Sequence, residues 1–276
     1  MSKTWFITGA SSGLGLEMTE QLLARGDVVA ATIRREGPLS SLKAQYGARL
    51  HTITLDLTDP ASIRSAITGA FDRMGRIDVL VSNAGYGLFG AAEELADVQI
   101  DRQIATNLLG SIHLIRAALP RLRQQGGGRI VQVSSEGGQI AYPNFSLYHA
   151  TKWGIEGFVE SVAQEVAPFG IDFILAEPGP TVTNFGAGLD HAEPMEIYEG
   201  TPAGDVRRAI ASGAFELKGD AKRTVAAMIA AADMSKPALR LTLGSTAYAS
   251  ISTALGKRLN ALEDQKDIAF SADRAD

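Results

Sequence analysis

An α/β fold, a doubly wound parallel sheet of about seven strands with helices on both faces, is predicted by three observations. Short apolar runs alternate with longer helix-like segments from the N-terminus to about residue 245. The runs, such as Val79-Leu80-Val81 and Ile130-Val131, lack clean polar alternation, which argues for strands buried on both faces. A glycine-rich turn, Thr8-Gly9-Ala10-Ser11-Ser12-Gly13-Leu14-Gly15, follows the first run and opens the first helix.

In chain order, Thr4 to Thr8 is a short apolar run and predicts the first strand, and Gly13 to Arg25 predicts the first helix. Val28 to Ile33 and Leu50 to Leu55 predict strands on either side of a helix over Pro38 to Tyr46. Pro60 to Met74 predicts a helix, Ile77 to Ser82 a strand, and Asp97 to Gln125 one long helix. Arg129 to Val133 and Ile171 to Ala176 predict strands around a helix over Phe145 to Ala167. Six βα units give a Rossmann-type open sheet, and right-handed crossovers leave few topologies.

After Pro178 the regularity breaks. Glycines at 179, 186, 188, 200, 204 and 213 and prolines at 178, 180, 194 and 202 predict a long loop. A loop of that length in a compact domain reads as a binding loop or substrate lid, over about 180–218. Asp220 to Ala232 predicts a helix and Leu239 to Leu243 a strand closing the sheet. Beyond them lies a helical extension, about 245–276, in which Tyr248, Ile251, Leu255, Leu259 and Leu262 share one face. The polar residues that run to Asp276 are expected to be loose. The whole of 1–276 reads as a single dinucleotide-binding catalytic domain.

Composition narrows the function classes. The 276 residues are 45% hydrophobic and 21% charged, as expected of a globular enzyme. A net charge of −5 offers no basic stripe, so no nucleic acid and no membrane surface is expected as partner. The absence of cysteine excludes disulfides and thiolate metal sites, and histidines at 51, 113, 149 and 191 are too scattered for a metal cluster. No signal-peptide pattern opens the chain and no apolar run is long enough to span a bilayer, so a soluble cytoplasmic protein is expected.

Glycines at 9, 13 and 15 permit a tight turn and let amides approach a pyrophosphate at the helix N-terminus. The spacing is T-G-x-x-x-G-x-G, not the usual G-x-G-x-x-G. The end of the second predicted strand, Ala30-Ala31-Thr32-Ile33-Arg34-Arg35, has no carboxylate before Glu36. Arg34, with the Ser11 or Ser12 hydroxyl, forms a compact anion site suited to a ribose 2′-phosphate. NADP(H) is therefore expected over NAD(H).

Tyr148 and Lys152 stand four apart on one face of the helix predicted over Phe145 to Ala167, thirteen positions beyond Ser135. An ammonium beside a phenol favours the phenolate, so the pair is a candidate proton-transfer site. Ser134 competes with Ser135 by proximity, and the thirteen-residue spacing favours Ser135.

Together these residues resemble the classical short-chain dehydrogenase/reductase family, over roughly residues 4 to 245. The Thr8 to Gly15 stretch is similar to its cofactor turn, including Gly9, Ser11, Ser12, Gly13, Leu14 and Gly15. Asp56-Leu57 is similar to its adenine-contacting pair, and Ser82-Asn83-Ala84-Gly85 to its N-N-A-G segment. Asn107, Ser135, Tyr148 and Lys152 match its catalytic tetrad. Pro178-Gly179-Pro180-Thr181-Val182-Thr183 is similar to its P-G-x-x-x-T stretch, in which Pro178, Gly179, Thr181 and Thr183 meet the carboxamide side of the cofactor. Ser82 in place of the first asparagine and Thr151 before the lysine depart from the pattern without removing a reacting group.

The resemblance implies hydride transfer between a nicotinamide and a carbonyl or secondary alcohol. Tyr148 is then the acid in reduction and the base in oxidation. Lys152 lowers the tyrosine pKa and binds the nicotinamide ribose, Ser135 bonds the substrate oxygen, and Asn107 helps hold a water that joins the lysine to solvent. Asn107, among Ile104, Leu108 and Leu109, is expected to need polar partners if buried. The motifs are most similar to the 17β-hydroxysteroid dehydrogenase-like subgroup. Tyr142, Phe145, Phe185, Met195 and Tyr198 fall where a pocket and lid are expected, which suggests an apolar or aromatic ketone. Competing classes are an NADP(H)-binding sensor without turnover and a non-redox isomerase or dehydratase. The resemblance also implies a homodimer or homotetramer through the segments 97–125 and 145–167.

Overall fold

Strand side chains point alternately to opposite faces of a sheet, and here both faces are buried. Trp5 and Ile7 lie in one core with Val29, Ala31, Val79, Val81, Val131 and Ile174. Phe6, between them, lies in the other with Ala30, Leu80, Ile130, Phe173 and Leu175. Trp5, Phe6 and Ile7 are all fully buried, each side chain contributing about 1.5–3 kcal/mol of hydrophobic stabilisation. The computed structural model describes residues 2–214 and 216–274.

The first half of the chain runs β1 (Thr4–Ile7), α1 (Gly13–Arg25), β2 (Val28–Ile33), α2 (Ser40–Tyr46), β3 (Leu50–Thr54), α3 (Pro60–Met74), β4 (Val79–Ser82) and β5 (Leu88–Phe89). It continues through α4 (Asp97–Gln103), α5 (Gly110–Gln124), β6 (Gly128–Val133), α6 (Ser146–Val166) and β7 (Ile171–Pro178). The remainder is β8 (Thr181–Val182), β9 (Asp190–His191), α7 (Pro202–Ala211), β10 (Gly219–Asp220), α8 (Ala221–Asp233), β11 (Arg240–Leu243), α9 (Ser245–Glu263) and α10 (Lys266–Ser271).

Seven strands form the central sheet in the order β11-β7-β6-β4-β1-β2-β3, every neighbouring pair parallel. Met18, Leu22 and Leu23 of α1 and Val225, Met228 and Ile229 of α8 cover one face. Ile63, Ile67 and Phe71 of α3, Leu114 and Ile115 of α5, and Ile155 and Val159 of α6 cover the other. The strand order reverses between β1 and β4. That switch point opens a crevice at their C-terminal ends, where ligands of such sheets bind.

Several expectations change. The single helix over 97–125 is broken by a π-helical turn at Ile104–Leu109, which contains Asn107. Such bulges accommodate an extra residue in a helix and re-aim its side chains. The loop over 179–219 is more ordered than its glycines and prolines suggest: it contains β8, β9 and α7. Thr201 starts α7 by accepting from the Ala203 amide, with Pro202 in the first turn. The C-terminal stripe does not pack on its own chain as a unit. Ile251 is buried, whereas Tyr248, Leu255, Leu259 and Leu262 are exposed. The tail expected to be loose includes α10, and its last two positions lie outside the described residues.

No helix among the described residues is long and apolar enough to cross a membrane.

Candidate active site

The glycine turn is shaped by close backbone contact. A Cβ on Gly15 would lie 2.4 Å from the Gly9 carbonyl oxygen and 2.5 Å from Asn83 Nδ2. Gly13 has φ +56°, a conformation that favours glycine. Asn83 ties the end of β4 to this turn: its Nδ2 donates to Thr8 O at 2.8 Å, and its amide donates to Thr8 Oγ1 at 2.9 Å. The Ala84 amide also donates to Thr8 Oγ1, at 3.0 Å. Asn83 and Ala84 thus build the cradle wall from beneath, a positioning task that the pattern alone did not separate from cofactor contact.

Ser12 is the N-cap of α1, and its side chain makes no capping bond. The first turn also lacks an acidic residue, so the amides around Gly13, Leu14 and Gly15 are suited to an anion. Arg34 follows β2 and is exposed, as are Ser11 and Ser12. The Asp56 carboxylate accepts from the Thr58 amide at 2.8 Å and its hydroxyl at 2.7 Å. These bonds hold its pKa below the ordinary range, with Arg34 adding to the effect. Arg34 and Asp56 therefore share one corner of the cradle. Leu57 is buried, and its carbonyl oxygen lies 2.8 Å from where a Gly110 Cβ would be.

On the other side of the crevice, the end of β6 meets α6. Lys152 Nζ donates to Val133 O at 3.0 Å and lies 5.5 Å from the Tyr148 ring centroid. The hydroxyl of Ser134 donates to Glu156 Oε1 at 2.5 Å and is thereby committed. Ser135 Oγ accepts from the Gly137 amide at 3.1 Å, capping the short turn Glu136–Gly138. That bond leaves its proton available, which favours Ser135 over Ser134 as the reacting serine. Tyr148 and Lys152 are both buried.

Burial sets the titration of this group. It pushes the Tyr148 phenol up to about 12, with Ser135 opposing and Glu136 adding to the rise. It pulls Lys152 down to about 8, against the pull of the Glu156 carboxylate. The Lys152 ammonium faces the Tyr148 ring, and burial, which disfavours the charged form of each group, is the largest influence on both.

Asn107 is buried, and its amide finds polar partners in the chain after β4. Its Nδ2 donates to Tyr86 O at 2.8 Å and its Oδ1 accepts from the Tyr86 amide at 3.1 Å. Gly85 fits beside it because a Cβ there would lie 3.2 Å from Asn107 Oδ1. Past β7, Gly179 donates to Leu243 O at 3.0 Å, and its missing Cβ leaves room for the Ala247 amide of α9 at 3.1 Å. Thr181 Oγ1 donates back to Gly179 O at 2.8 Å. Thr183 lies over the cradle, its Cβ 3.9 Å from the position of a Gly13 Cβ. Pro178 ends β7 opposite Leu243.

An apolar wall adjoins Tyr148. Phe89, Phe145 and Tyr148 form a buried cluster against which Tyr142, Leu189, Val206 and Ile210 pack. Phe185 stacks obliquely on Tyr148 at 5.6 Å. The 180–218 segment reaches this wall through β9, which pairs with β5. Gln99 Nε2 and Arg102 hold Asp190, and the fully buried Glu94 carboxylate receives Arg207 at 2.7 and 2.9 Å and the Met195 amide at 2.8 Å. Met195 and Tyr198 belong to this outer clasp, Tyr198 donating to Glu93 at 2.8 Å. Of the five aromatic and Met positions expected at the pocket, Tyr142, Phe145 and Phe185 are therefore the ones at the wall.

The sequence pattern passed over Phe89, Glu94 and His149. His149 accepts from the Tyr142 amide through Nε2 at 3.3 Å, and its Nδ1 meets Gly137 O at 2.9 Å. Burial lowers its pKa, so it is a neutral brace behind Tyr148. Its place next to Tyr148 on a helix was the only available signal.

A glycine cradle at the switch point, with a buried tyrosine and lysine across the crevice, defines the class of dinucleotide-dependent oxidoreductases. The chain belongs to the short-chain dehydrogenase family, whose model, described as "short chain dehydrogenase", matches residues 3–194. It is 41% identical over 203 residues to oxidoreductase BOA17 of Botryotinia fuckeliana, covering 73% of this chain and 74% of that one. A short-chain dehydrogenase from Streptomyces avermitilis superposes with a TM-score of 0.92 at 37% identity, over 99% of this chain and 100% of that one. One from Burkholderia cenocepacia, in complex with NADP, gives 0.73 at 26% identity over 96% and 97%.

Proposed function

We propose that the protein is an NADP(H)-dependent carbonyl reductase of apolar or aromatic ketones, in keeping with the 17β-hydroxysteroid dehydrogenase-like motifs. The observation that carries this reading is the convergence of Ser135, Tyr148 and Lys152 at the end of β6, across the crevice from the glycine cradle and against the Phe89, Phe145 and Phe185 wall.

The residues present fit the cofactor. Gly9, Gly13 and Gly15, with the uncapped start of α1, suit a pyrophosphate. Arg34 with Ser11 or Ser12 suits the 2′-phosphate, Asp56, Leu57, Asn83, Ala84 and Gly85 border the adenosine half, and Pro178, Gly179, Thr181 and Thr183 border the nicotinamide half. When bound, the reduced nicotinamide supplies hydride. Ser135 donates to the substrate carbonyl and orients it, while Tyr148 hands its proton to the same oxygen as negative charge develops there. Lys152 contributes positive charge beside the phenol. Asn107 positions the Gly85–Tyr86 backbone, and the 180–218 segment acts as the lid that excludes water.

Because burial holds Tyr148 protonated to about 12, the phenol is available as a proton donor at neutral pH. Lys152 sets the alkaline limit. Its ammonium is present below its lowered pKa and is lost above about 8, so kcat/KM for reduction is expected to be level near neutrality and to fall beyond that pH. A rate that rises steadily above pH 9 would contradict this assignment.

Arg34→Asp tests cofactor choice. Loss of a charge-assisted contact worth about 1.5–3 kcal/mol should lower kcat/KM for NADPH by about 10–100-fold while sparing NADH. Equal efficiency of the wild type with both cofactors, or an unchanged ratio in the variant, would sink the preference. The competing readings separate by turnover: a sensor binds NADPH and consumes none across a broad carbonyl panel, and an isomerase or dehydratase converts substrate without net loss of NADPH. Association as a homodimer or homotetramer is supported by Val98, Leu109 and Trp153, exposed on α4, the π-turn and α6; sedimentation velocity measures it. A cytoplasmic location is part of the same proposal.

A further inference from the structure

Behind the tyrosine and lysine lies a second set of charges that proton transfer does not use. α6 buries Glu156 one helical turn beyond Lys152. The Glu156 carboxylate accepts from Ser134 Oγ at 2.5 Å and from Arg240 Nη1 at 2.6 Å. The same Nη1 reaches Glu177 Oε1 at 2.5 Å. Glu177, fully buried in β7, also accepts from Gln139 Nε2 at 2.6 Å and Thr242 Oγ1 at 3.2 Å. Glu160 closes the outer side of Arg240 at 2.8 Å.

The inner charges balance as a set: Lys152 and Arg240 against Glu156 and Glu177. Removing one member of a buried set leaves another uncompensated. The same groups bracket the end of β6 residue by residue, with Lys152 on Val133 O and Glu156 on Ser134, and Ser135 follows. The turn beyond is shaped around the carboxylate too, since a Cβ on Gly138 would fall 1.7 Å from Glu156 Oε1.

We propose that Glu156 is a positioning residue of the reaction: through Ser134 it fixes the strand end that carries Ser135, and it supplies the counter-charge for the buried Lys152 ammonium. This rests on the reductase reading given above. The charged groups facing Glu156 are Lys152 and Glu160 on its own helix, Glu177 on β7 and Arg240 on β11, and Glu136 in the turn after β6 is a further carboxyl of the same region. The π-turn packed on α6 brings no titratable side chain, while α4 and α5 direct Arg102 to Asp190 and Arg121 to Asp72.

The test follows the Lys152 titration directly, by NMR of the Cε signal in protein labelled at lysine, which needs neither cofactor nor substrate. In Glu156→Gln the midpoint should fall by about one pH unit, and the alkaline limb of reduction should move with it, costing about fivefold in rate at the wild-type midpoint and about tenfold a pH unit above it. Glu156→Asp should restore both. Ser134→Ala, which breaks the hydrogen bond and keeps the charge, should lower kcat without moving the midpoint. Arg240→Gln frees the carboxylates and should raise it. An unmoved midpoint in folded Glu156→Gln protein overturns the proposal; if that variant does not fold, an unmoved or lowered midpoint in Arg240→Gln overturns it. Absence of NADPH turnover in the wild type would instead count against the reductase reading, and leaves the NMR result to stand or fall on its own.

Discussion

Tyr148→Phe is expected to lower kcat for ketone reduction by about 10²–10⁴-fold, the range spanned by loss of a positioned general acid. The substitution removes one oxygen and keeps the ring. The contacts of that ring with Phe145 at 6.1 Å and Phe185 at 5.6 Å are therefore retained, as is the apolar wall they form. NADPH affinity, read by fluorescence titration, should change little, and the loss should appear in kcat and kcat/KM together, as for an interaction made in the transition state. Burial argues for the same outcome from the side of the proton. A phenol held protonated to about 12 is a donor throughout the working range, and Ser135, whose Oγ already accepts from Gly137, is a far weaker acid. Turnover within tenfold of wild type would remove Tyr148 from the role.

Gly15→Ala is expected to damage both the cradle and the fold. The added methyl would sit 2.4 Å from Gly9 O and 2.5 Å from Asn83 Nδ2, and the first of these is backbone that cannot swing aside. Relief requires α1 to move away from the turn or Asn83 to surrender its bond to Thr8 O. Overpacking of this kind costs about 1–3 kcal/mol, and each kcal/mol shifts Tm by about 2–4 °C at this chain length. The same movement displaces the amides at the start of α1, so NADPH binding should weaken by at least about tenfold, the equivalent of 1.4 kcal/mol. Thermal melting with and without NADPH measures both effects. A variant with unchanged Tm and unchanged stabilisation by NADPH would show that the turn does not hold the cofactor.

Much of this molecule was legible in local pattern. Strands buried on both faces leave continuous apolar runs, so β1, β2, β4, β6 and β7 stand out without reference to tertiary structure. The glycine turn and the Tyr148/Lys152 spacing are equally local. What escaped depends on partners distant in sequence. The π-turn at Asn107 is stabilised by the Tyr86 backbone, and nothing in the apolar spacing of 97–125 signals an extra residue in the helix. α7 and β9 are held by Glu94 through Arg207 and by Gln99 through Asp190, across 113 and 91 residues. Their own glycines and prolines argue for loop. Likewise Glu156 looks like the polar face of an amphipathic helix until Arg240, 84 residues on, is brought against it. The depth at which Tyr148 is buried is likewise a property of the whole fold, whereas its spacing from Lys152 is local.

The most direct test of hydride transfer from NADPH to a carbonyl is the fate of a label. NADPH deuterated at the transferable C4 position is incubated with an aromatic ketone and the protein, and the product is analysed by mass spectrometry and NMR. The account predicts one deuterium on the carbinol carbon for each NADPH consumed, with formation slowed in Tyr148→Phe. Product formed without deuterium or without loss of NADPH would contradict it.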